Sequence, residues 1–316
     1  MKPFVYALSE DSQYFVHWHS VFVAATDGDV DAQRAAYDAL CHSYTPPLHD
    51  SIVKSEAQLG ETGMETAVRF FVPQAAAPAG GWPWVFYVHG GDWVSGSLDS
   101  HEFITAALCE DLGMAVVAVG YRQAPEHGFP LAHQDCQAVY GRLRAEATRW
   151  GLDPNRVVVA GDGVGGNMAA SLTQSCAQQG QAPAGLALIY PLLTTAFDLP
   201  SHHTHAHAPL FGLTQLQAAY AGYATAAELN DPRLSPLRLT AAALAAHPPT
   251  VIAAAAYDPV LDEGRSYADQ LAAAGVAVDY FVGEGLVHGC FRSLRYCADS
   301  RALYQQWLAV IKGMLA

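Results

Sequence analysis

Short, almost wholly apolar runs alternate with longer amphipathic stretches along this chain, and the alternation limits the folds open to it. The apolar runs read WVFYVHG (84–90), MAVVAVGY (114–121), RVVVAGD (156–162), GLALIYP (185–191) and TVIAAAAYD (250–258). Strands that are apolar on both faces belong to a sheet that is covered on both sides. We therefore predict an α/β protein with a mostly parallel central sheet and helices on both of its faces.

Length, charge and cysteine use narrow the classes of protein further. The chain has 316 residues, of which 51% are hydrophobic, and a formal net charge of −14. This acidity argues against nucleic acid and anionic membranes as partners. No apolar run approaches the ~18 residues that a membrane span needs, and the start lacks a signal-peptide pattern. Six scattered cysteines without a C-x-x-C motif predict free thiols in a cytoplasmic protein.

Residues suited to chemistry follow the predicted strands directly, where ligands bind in parallel sheets. The turn 89–93 (HGGDW) has consecutive glycines, which allow backbone N–H groups to converge on a developing oxyanion. The turn 161–166 (GDGVGG) has the small residues that a strained strand-to-helix turn requires. Asp258 follows the strand TVIAAAAY, and His288 follows the predicted strand VAVDYFVG (276–283).

Five motifs, taken in order, resemble the hormone-sensitive-lipase-like branch of the α/β-hydrolases, which includes many bacterial carboxylesterases. They are HGGDWVSGSLDSHE, YRQAPEHGFP, GDGVGGNMAA, YDPVLDEG and HGCF, within about residue 60 to the end. The resemblance implies an α/β-hydrolase domain over residues 51–316, with cap helices over 1–50 and a cap segment at about 196–240. It also implies hydrolysis of small esters with short to medium acyl groups, without a metal or cofactor.

The resemblance implies a catalytic triad in the order nucleophile, acid, histidine. Asp258 would be the acid and His288 the general base. The family has serine at the nucleophile position, whereas this chain has Gly163. Without an Oγ atom no acyl-enzyme forms, so we expect this chain to bind esters and to hydrolyse them very poorly.

The resemblance also implies an oxyanion hole formed by the N–H groups of Gly90, Gly91 and Val164. The third glycine of the family's motif is Asp92 in this chain. A hole built from backbone groups survives that change, but a buried carboxylate beside it would have a raised pKa. The Asp92 side chain either faces away from the site or lines the substrate pocket. In the alternative hypothesis, the Asp92 carboxylate acts as a base or nucleophile beside His288.

Large aromatic residues are candidates for lining an apolar substrate pocket. These candidates are Trp18, Trp93, Phe197 and Phe211. Histidines at 202, 203, 205 and 207 suggest a metal site, but they lack the carboxylate or cysteine help that zinc sites usually have. We expect a loop at the pocket rim there.

Three explanations for Gly163 stay open. A natural serine was replaced by design or lost recently, the chain is a binding protein without catalysis, or it is a cyclase or lyase that uses His288 as base. Each explanation has a small molecule as the partner. The apolar stretch 276–283 also permits a homodimer through an edge strand.

Overall fold

A single twisted sheet organises the computed structural model, which describes residues 4–22, 28–60 and 65–316. Its strands are β1 (Ile52–Leu59), β2 (Thr66–Pro73), β3 (Trp82–Val88), β4 (Ala115–Gly120), β5 (Leu152–Asp162), β6 (Gly185–Ile189), β7 (Thr250–Tyr257) and β8 (Val278–Val287). They lie in the order β1-β2-β4-β3-β5-β6-β7-β8. β2 runs antiparallel to both of its neighbours, and all other pairings are parallel.

Helices cover both faces of this sheet, as the sequence predicts. They are α1 (Glu10–Phe22), α2 (Val30–Tyr44), α3 (Glu102–Leu112), α4 (Leu131–Ala145), α5 (Val164–Gln178), α6 (Pro200–Thr204), α7 (Leu213–Tyr223), α8 (Ala241–Leu244), α9 (Leu261–Ala273) and α10 (Ala298–Met314). α3 packs with α10, while α5 packs with α4 and α8. The prediction of an α/β fold with a mostly parallel sheet is confirmed.

Local signals explain where two of the helices begin and end. The Asp29 side chain accepts hydrogen bonds from the N–H groups of Asp31 and Ala32, which caps α2. α3 ends at Gly113 as predicted, but its predicted cap, Ser100, lies before the helix. The Ser100 hydroxyl is used in a turn instead, because it accepts a bond from the N–H of Ser97.

β1 is the strand that the sequence did not indicate. Its two end residues, Ile52 and Leu59, are buried, whereas most of the residues between them are exposed. An edge strand with one neighbour can keep its middle in water, so it needs no regular apolar alternation. The pairing of β1 with β2 therefore depends on backbone hydrogen bonds that leave little trace in the residue pattern.

The predicted cap segments contain helices. α1 and α2 fall within residues 1–50, of which 1–3 and 23–27 lie outside the described residues. α6 and α7 fall within 196–240, together with two short 3₁₀ turns. The division into cap and catalytic domain stays a prediction. Across the part of the chain that the structure describes, no helix is both long and apolar enough to cross a membrane.

The turn between β5 and α5 lies in direct contact with β3. A Cβ atom at Gly165 would collide with the backbone carbonyl of Val88 and with the backbone of His89. Glycine is thus required there by the close approach of two backbones. This contact sets the distance between the loops that follow β3 and β5.

We predict that Gly165→Ala lowers the free energy of unfolding by about 1–3 kcal/mol, because the added methyl group overpacks a closed contact. Gly141→Ala is the matched control, since a Cβ at this α4 position would meet nothing within 4 Å. The control should raise stability by about 0.5–1 kcal/mol through helix propensity. Equilibrium urea unfolding measures both changes. Equal effects of the two substitutions would contradict this account of the turn.

Candidate active site

The site forms where four parallel strands end. The loop 89–93 follows β3, Gly163 follows β5, Asp258 follows β7 and His288 follows β8. Carboxyl ends of parallel strands lie at the same edge of a sheet, so residues distant in sequence meet there. Residues of the loop 89–93, Gly163 and His288 line one cavity. Asp258 does not line it but is hydrogen-bonded to His288.

Gly163 occupies a backbone conformation that L side chains rarely adopt, with φ 55° and ψ −119°. Its N–H donates a hydrogen bond to the carbonyl of Ile189 at 3.0 Å. An ideal Cβ at this position would have His288 Nε2 at 3.6 Å. Apart from chain neighbours and the backbone of α5, no other atom of the described residues would lie within 4 Å of it. A side chain therefore has room here, on a strained turn.

The imidazole of His288 is held on three sides. Its Nδ1 lies 2.7 Å from Asp258 Oδ2, and the Asp258 side chain is fully buried. The ring stacks on Phe211 with 4.2 Å between centroids and lies 4.7 Å from the Tyr190 ring. A carboxylate at Nδ1 favours the tautomer with its proton there, which leaves Nε2 as the proton acceptor. That acceptor faces position 163.

Asp162, one residue before Gly163, ties the β5 turn to the β3 loop. Its Oδ1 accepts bonds from the N–H of Gly90 at 3.0 Å and from the Tyr87 hydroxyl at 2.8 Å. Its Oδ2 lies 3.3 Å from His101 Nε2. Burial alone would raise the pKa of Asp162, but the His101 ring and the Tyr87 hydroxyl outweigh it. The pKa of this carboxyl therefore lies below its usual range.

The bond to Asp162 corrects one part of the expected oxyanion hole. The Gly90 N–H already donates to a carboxylate, so it is not free to stabilise an oxyanion. The N–H groups of Gly91, Asp92 and Val164 have no acceptor within residues 4–22, 28–60 and 65–316. The N–H groups of Gly91 and Val164 thus stay candidates for the hole, and the Asp92 N–H is a further candidate in place of Gly90.

The Asp92 side chain lies on the wall of the same cavity. Its backbone is in the left-handed region, with φ 58°. Burial raises the pKa of its carboxyl, and the nearby His288 and Arg292 oppose this rise in part. Between the two placements considered from the sequence, the structure selects the cavity wall.

The cavity has a volume of about 340 Å³, and one part of its wall is polar. That part is formed by His19 of α1, Gln33 and Tyr37 of α2, and Arg292. Sequence reasoning missed Gln33, Tyr37 and Arg292. Their signals were weak ones: Gln33 and Tyr37 are one helical turn apart and so share a face, and Arg292 comes four residues after His288.

Two of the predicted pocket aromatics lie elsewhere. Trp18 donates its indole N–H to Ser43 Oγ at 3.1 Å and stacks on Tyr14, at the surface between α1 and α2. Phe197 packs beside Tyr220, with 5.9 Å between ring centroids. Neither lines the cavity, because each finds an aromatic or polar partner within its own segment.

Trp93 is also absent from the cavity wall. It is fully buried and stacks on Tyr223, with centroids 4.6 Å apart and ring planes 8° from parallel. Asp92 and Trp93 both have left-handed φ angles, 58° and 59°, so the chain reverses sharply there. The reversal directs the carboxylate to the cavity and the indole to the core. Of the four aromatics, Phe211 alone lines this cavity.

The expectation of a loop at the pocket rim is wrong in part: His202 and His203 lie in α6, His205 and His207 lie in the loop after it, and none of the four lines the cavity. His202 is buried, and its Nε2 lies 2.8 Å from Glu263 Oε1. His205 packs against the Tyr257 ring, and His203 and His207 are exposed. The structurally described segments contain no group of three or more His, Cys, Asp or Glu residues arranged to hold a metal ion. The segment 202–207 thus supports the domain rather than forming a ligand set.

Comparison with known proteins agrees with this geometry. A family model described as alpha/beta hydrolase fold matches residues 85–292. The chain is 37% identical to the ethyl acetate hydrolase of Pseudomonas putida over 233 residues, 73% of each chain. It is 34% identical to carboxylesterase NlhH of Mycobacterium tuberculosis, over 85% of this chain and 84% of that one. Among solved structures, a mutant of the esterase rPPE superposes with a TM-score of 0.92, at 25% identity and 99% coverage of both chains.

The chain therefore belongs to the α/β-hydrolase fold family. Its curated relatives named above are carboxylic ester hydrolases, and its scaffold is that of a hydrolase of the esterase type.

We predict that Asp162→Asn lowers the free energy of unfolding at pH 7 by about 3 kcal/mol, because it removes one charge from a buried, hydrogen-bonded network. The folded pKa of Asp162 is depressed, so its stabilisation is complete above the unfolded pKa of about 3.9. It is lost as the pH falls from there through the folded pKa. Urea unfolding of both proteins at pH 7 and pH 3 should show the difference shrinking at pH 3.

Asp269→Asn on the exposed side of α9 is the control for loss of a carboxylate. It should change stability by less than about 0.5 kcal/mol at either pH. A difference for Asp162→Asn that is equally small, or that grows at pH 3, would overturn the role given to this carboxyl.

Proposed function

We propose that this chain is a carboxylic ester hydrolase scaffold for small esters with short to medium acyl groups, carrying glycine at its nucleophile position. The observation that carries the proposal is the direction of His288. Its Nδ1 bonds to Asp258, and its Nε2 would lie 3.6 Å from a Cβ at position 163. The ethyl acetate hydrolase among the relatives supports a small ester as substrate.

The roles of the residues follow from this arrangement. With serine at position 163, His288 Nε2 would accept the hydroxyl proton as Oγ attacks the ester carbonyl. Asp258 would hold the tautomer and stabilise the imidazolium that forms. The N–H groups of Gly91, Asp92 and Val164 would donate to the oxyanion of the tetrahedral intermediate. Glycine removes only the attacking atom, so binding and oxyanion stabilisation remain while turnover is very low.

We predict that Gly163→Ser raises the hydrolysis of p-nitrophenyl acetate and butyrate by about 10³- to 10⁶-fold, since loss of a triad nucleophile costs factors of this size. Gly163→Ala is the matched control, because it adds the same backbone strain and a Cβ without the hydroxyl. The control should stay at the level of the unchanged chain. Initial rates at pH 7–8 measure the effect.

Addition of His288→Ala to Gly163→Ser should return the rate to the level of the alanine control, because the hydroxyl then lacks its base. Continued inactivity of a folded Gly163→Ser protein would sink the proposal and favour a binding protein. Rapid ester cleavage by the unchanged chain, unaffected by His288→Ala, would overturn the mechanism as well.

The space at Gly163 favours one alternative, in which the chain as it stands uses His288 as base without a protein nucleophile. His288 Nε2 faces an open position where a water molecule or a substrate proton could lie. In that case His288→Ala would lower the residual rate of the unchanged chain by about 10²-fold or more. A pure binding protein would show no such dependence. Both readings keep a small molecule as the partner, and the homodimer and cytoplasmic location stay predictions.

A further inference from the structure

Arg292 places an unpaired positive charge in the wall of the candidate site. Its Nη2 donates to the Tyr37 hydroxyl at 2.6 Å, and the guanidinium lies 5.2 Å from the centre of the Tyr37 ring. Its buried Nε has no hydrogen-bond partner within the described part of the chain. Among the described residues, no carboxylate oxygen lies within 4 Å of this guanidinium. Guanidinium groups removed from water normally have an anion beside them, so this one lacks its usual partner.

The polar groups beside Arg292 are neutral, so a ligand would have to supply the anion that balances its charge. Tyr37, its one hydrogen-bond partner, has a pKa raised well above its ordinary value by burial, so the hydroxyl is neutral. His19 on the same wall is neutral too, because burial and the charge of Arg292 lower its pKa to about 3. Its Nδ1 is buried without a partner. The wall therefore offers a fixed cation and further polar groups, where an ordinary acyl pocket is apolar.

Two carboxyl groups influence the same region. Asp162 is hydrogen-bonded to Gly90, Tyr87 and His101, and it acts on the guanidinium only as a charge at longer range, which lowers the pKa of Asp162 and raises that of Arg292. Asp92 lies on the cavity wall, where burial raises the pKa of its carboxyl and the charges of His288 and Arg292 oppose this rise. Neither carboxyl group makes a hydrogen bond or an ion-pair contact within 4 Å with the Arg292 guanidinium.

We propose that Arg292 binds a free carboxylate of the ligand, so that the site prefers half-esters of dicarboxylic acids over neutral esters. The preference rests on the proposed function insofar as the ligand is an ester. Arg292 and His288 line one cavity of about 340 Å³, so a short molecule can place its ester at the glycine turns and its carboxylate at Arg292. The planar guanidinium suits a carboxylate because it donates two parallel hydrogen bonds.

Binding to the unchanged chain tests this preference without requiring turnover. Monoethyl succinate and its neutral isostere ethyl succinamate differ only in a carboxylate and an amide. Isothermal titration calorimetry should give a dissociation constant at least about 10-fold lower for monoethyl succinate, the size expected for a hydrogen bond to a charged group. Chromatography of the mixture after titration verifies that the esters remain intact. Equal affinity for the two ligands, or tighter binding of the amide, would overturn the proposal.

Variants then assign the preference to Arg292. Arg292→Gln should abolish the difference between the two ligands, whereas Arg295→Gln, which removes an exposed charge three residues away, should keep it. Tyr37→Phe should reduce the difference, because the guanidinium loses the hydroxyl that holds it. Retention of the full difference in a folded Arg292→Gln protein would refute the assignment. If that variant does not fold, the Tyr37→Phe result decides in the same way.

Kinetics in the Gly163→Ser background separate this inference from the proposed function. There kcat/KM for monoethyl succinate should exceed that for ethyl succinamate by about 10-fold, matching the binding ratio. Hydrolysis of neither ester, together with a binding preference that depends on Arg292, would refute ester hydrolysis and leave the carboxylate site standing. Hydrolysis of both esters at equal kcat/KM, together with equal binding, would leave the esterase standing and refute the carboxylate site.

Discussion

The buried carboxylate of Asp162 holds together the two turns on which the rest of the site depends. It receives a backbone N–H from the loop after β3 and lies at the end of β5, directly before Gly163. A charge without water needs several partners, and the Tyr87 hydroxyl and the His101 ring supply the others. The same bond that satisfies Asp162 removes Gly90 from the oxyanion hole. It thereby leaves the next N–H groups along the loop facing the cavity.

The geometry around Gly163 does not depend on a side chain at this position. The turn keeps its strained φ and ψ, and His288 keeps its bond to Asp258 and its stacking on Phe211. These features depend on strand ends, on a buried carboxylate and on aromatic packing, and none of them needs the missing Oγ. Glycine also relieves the strain that any L residue would carry at this φ. The turn, the bond between Asp258 and His288 and the stacking on Phe211 therefore do not depend on which residue stands at position 163.

The polar residues of the cavity wall favour ligands with a polar or charged group over wholly apolar ones. An acyl pocket was expected to be lined by tryptophan and phenylalanine, and Phe211 meets that expectation. To the polar part of the wall α1 contributes His19, α2 contributes Tyr37, and the turn after β8 contributes the Arg292 guanidinium. α2 is anchored by Arg34, whose guanidinium bonds to the Glu126 carboxylate and to the carbonyl of Val94. The anchor fixes the helix that carries Tyr37, and so fixes the partner of Arg292.

The pairing of Asp258 with His288 was implied by the family resemblance. The sequence by itself determined the fold class and the placement of the candidate site residues directly after strands. These follow from local patterns: apolar runs, small residues at turns, and chemical residues placed directly after strands. Only the tertiary structure decided which groups face the cavity. Trp18 and Trp93 look like pocket residues in sequence, yet Trp18 packs against Tyr14, one turn away in α1, and Trp93 packs against Tyr223 of the distant helix α7. Arg292 and Tyr37 are 255 positions apart and meet only after the chain has folded. Side-chain direction depends on long-range packing and on turn dihedrals, and these are properties of the whole fold rather than of any short stretch of sequence.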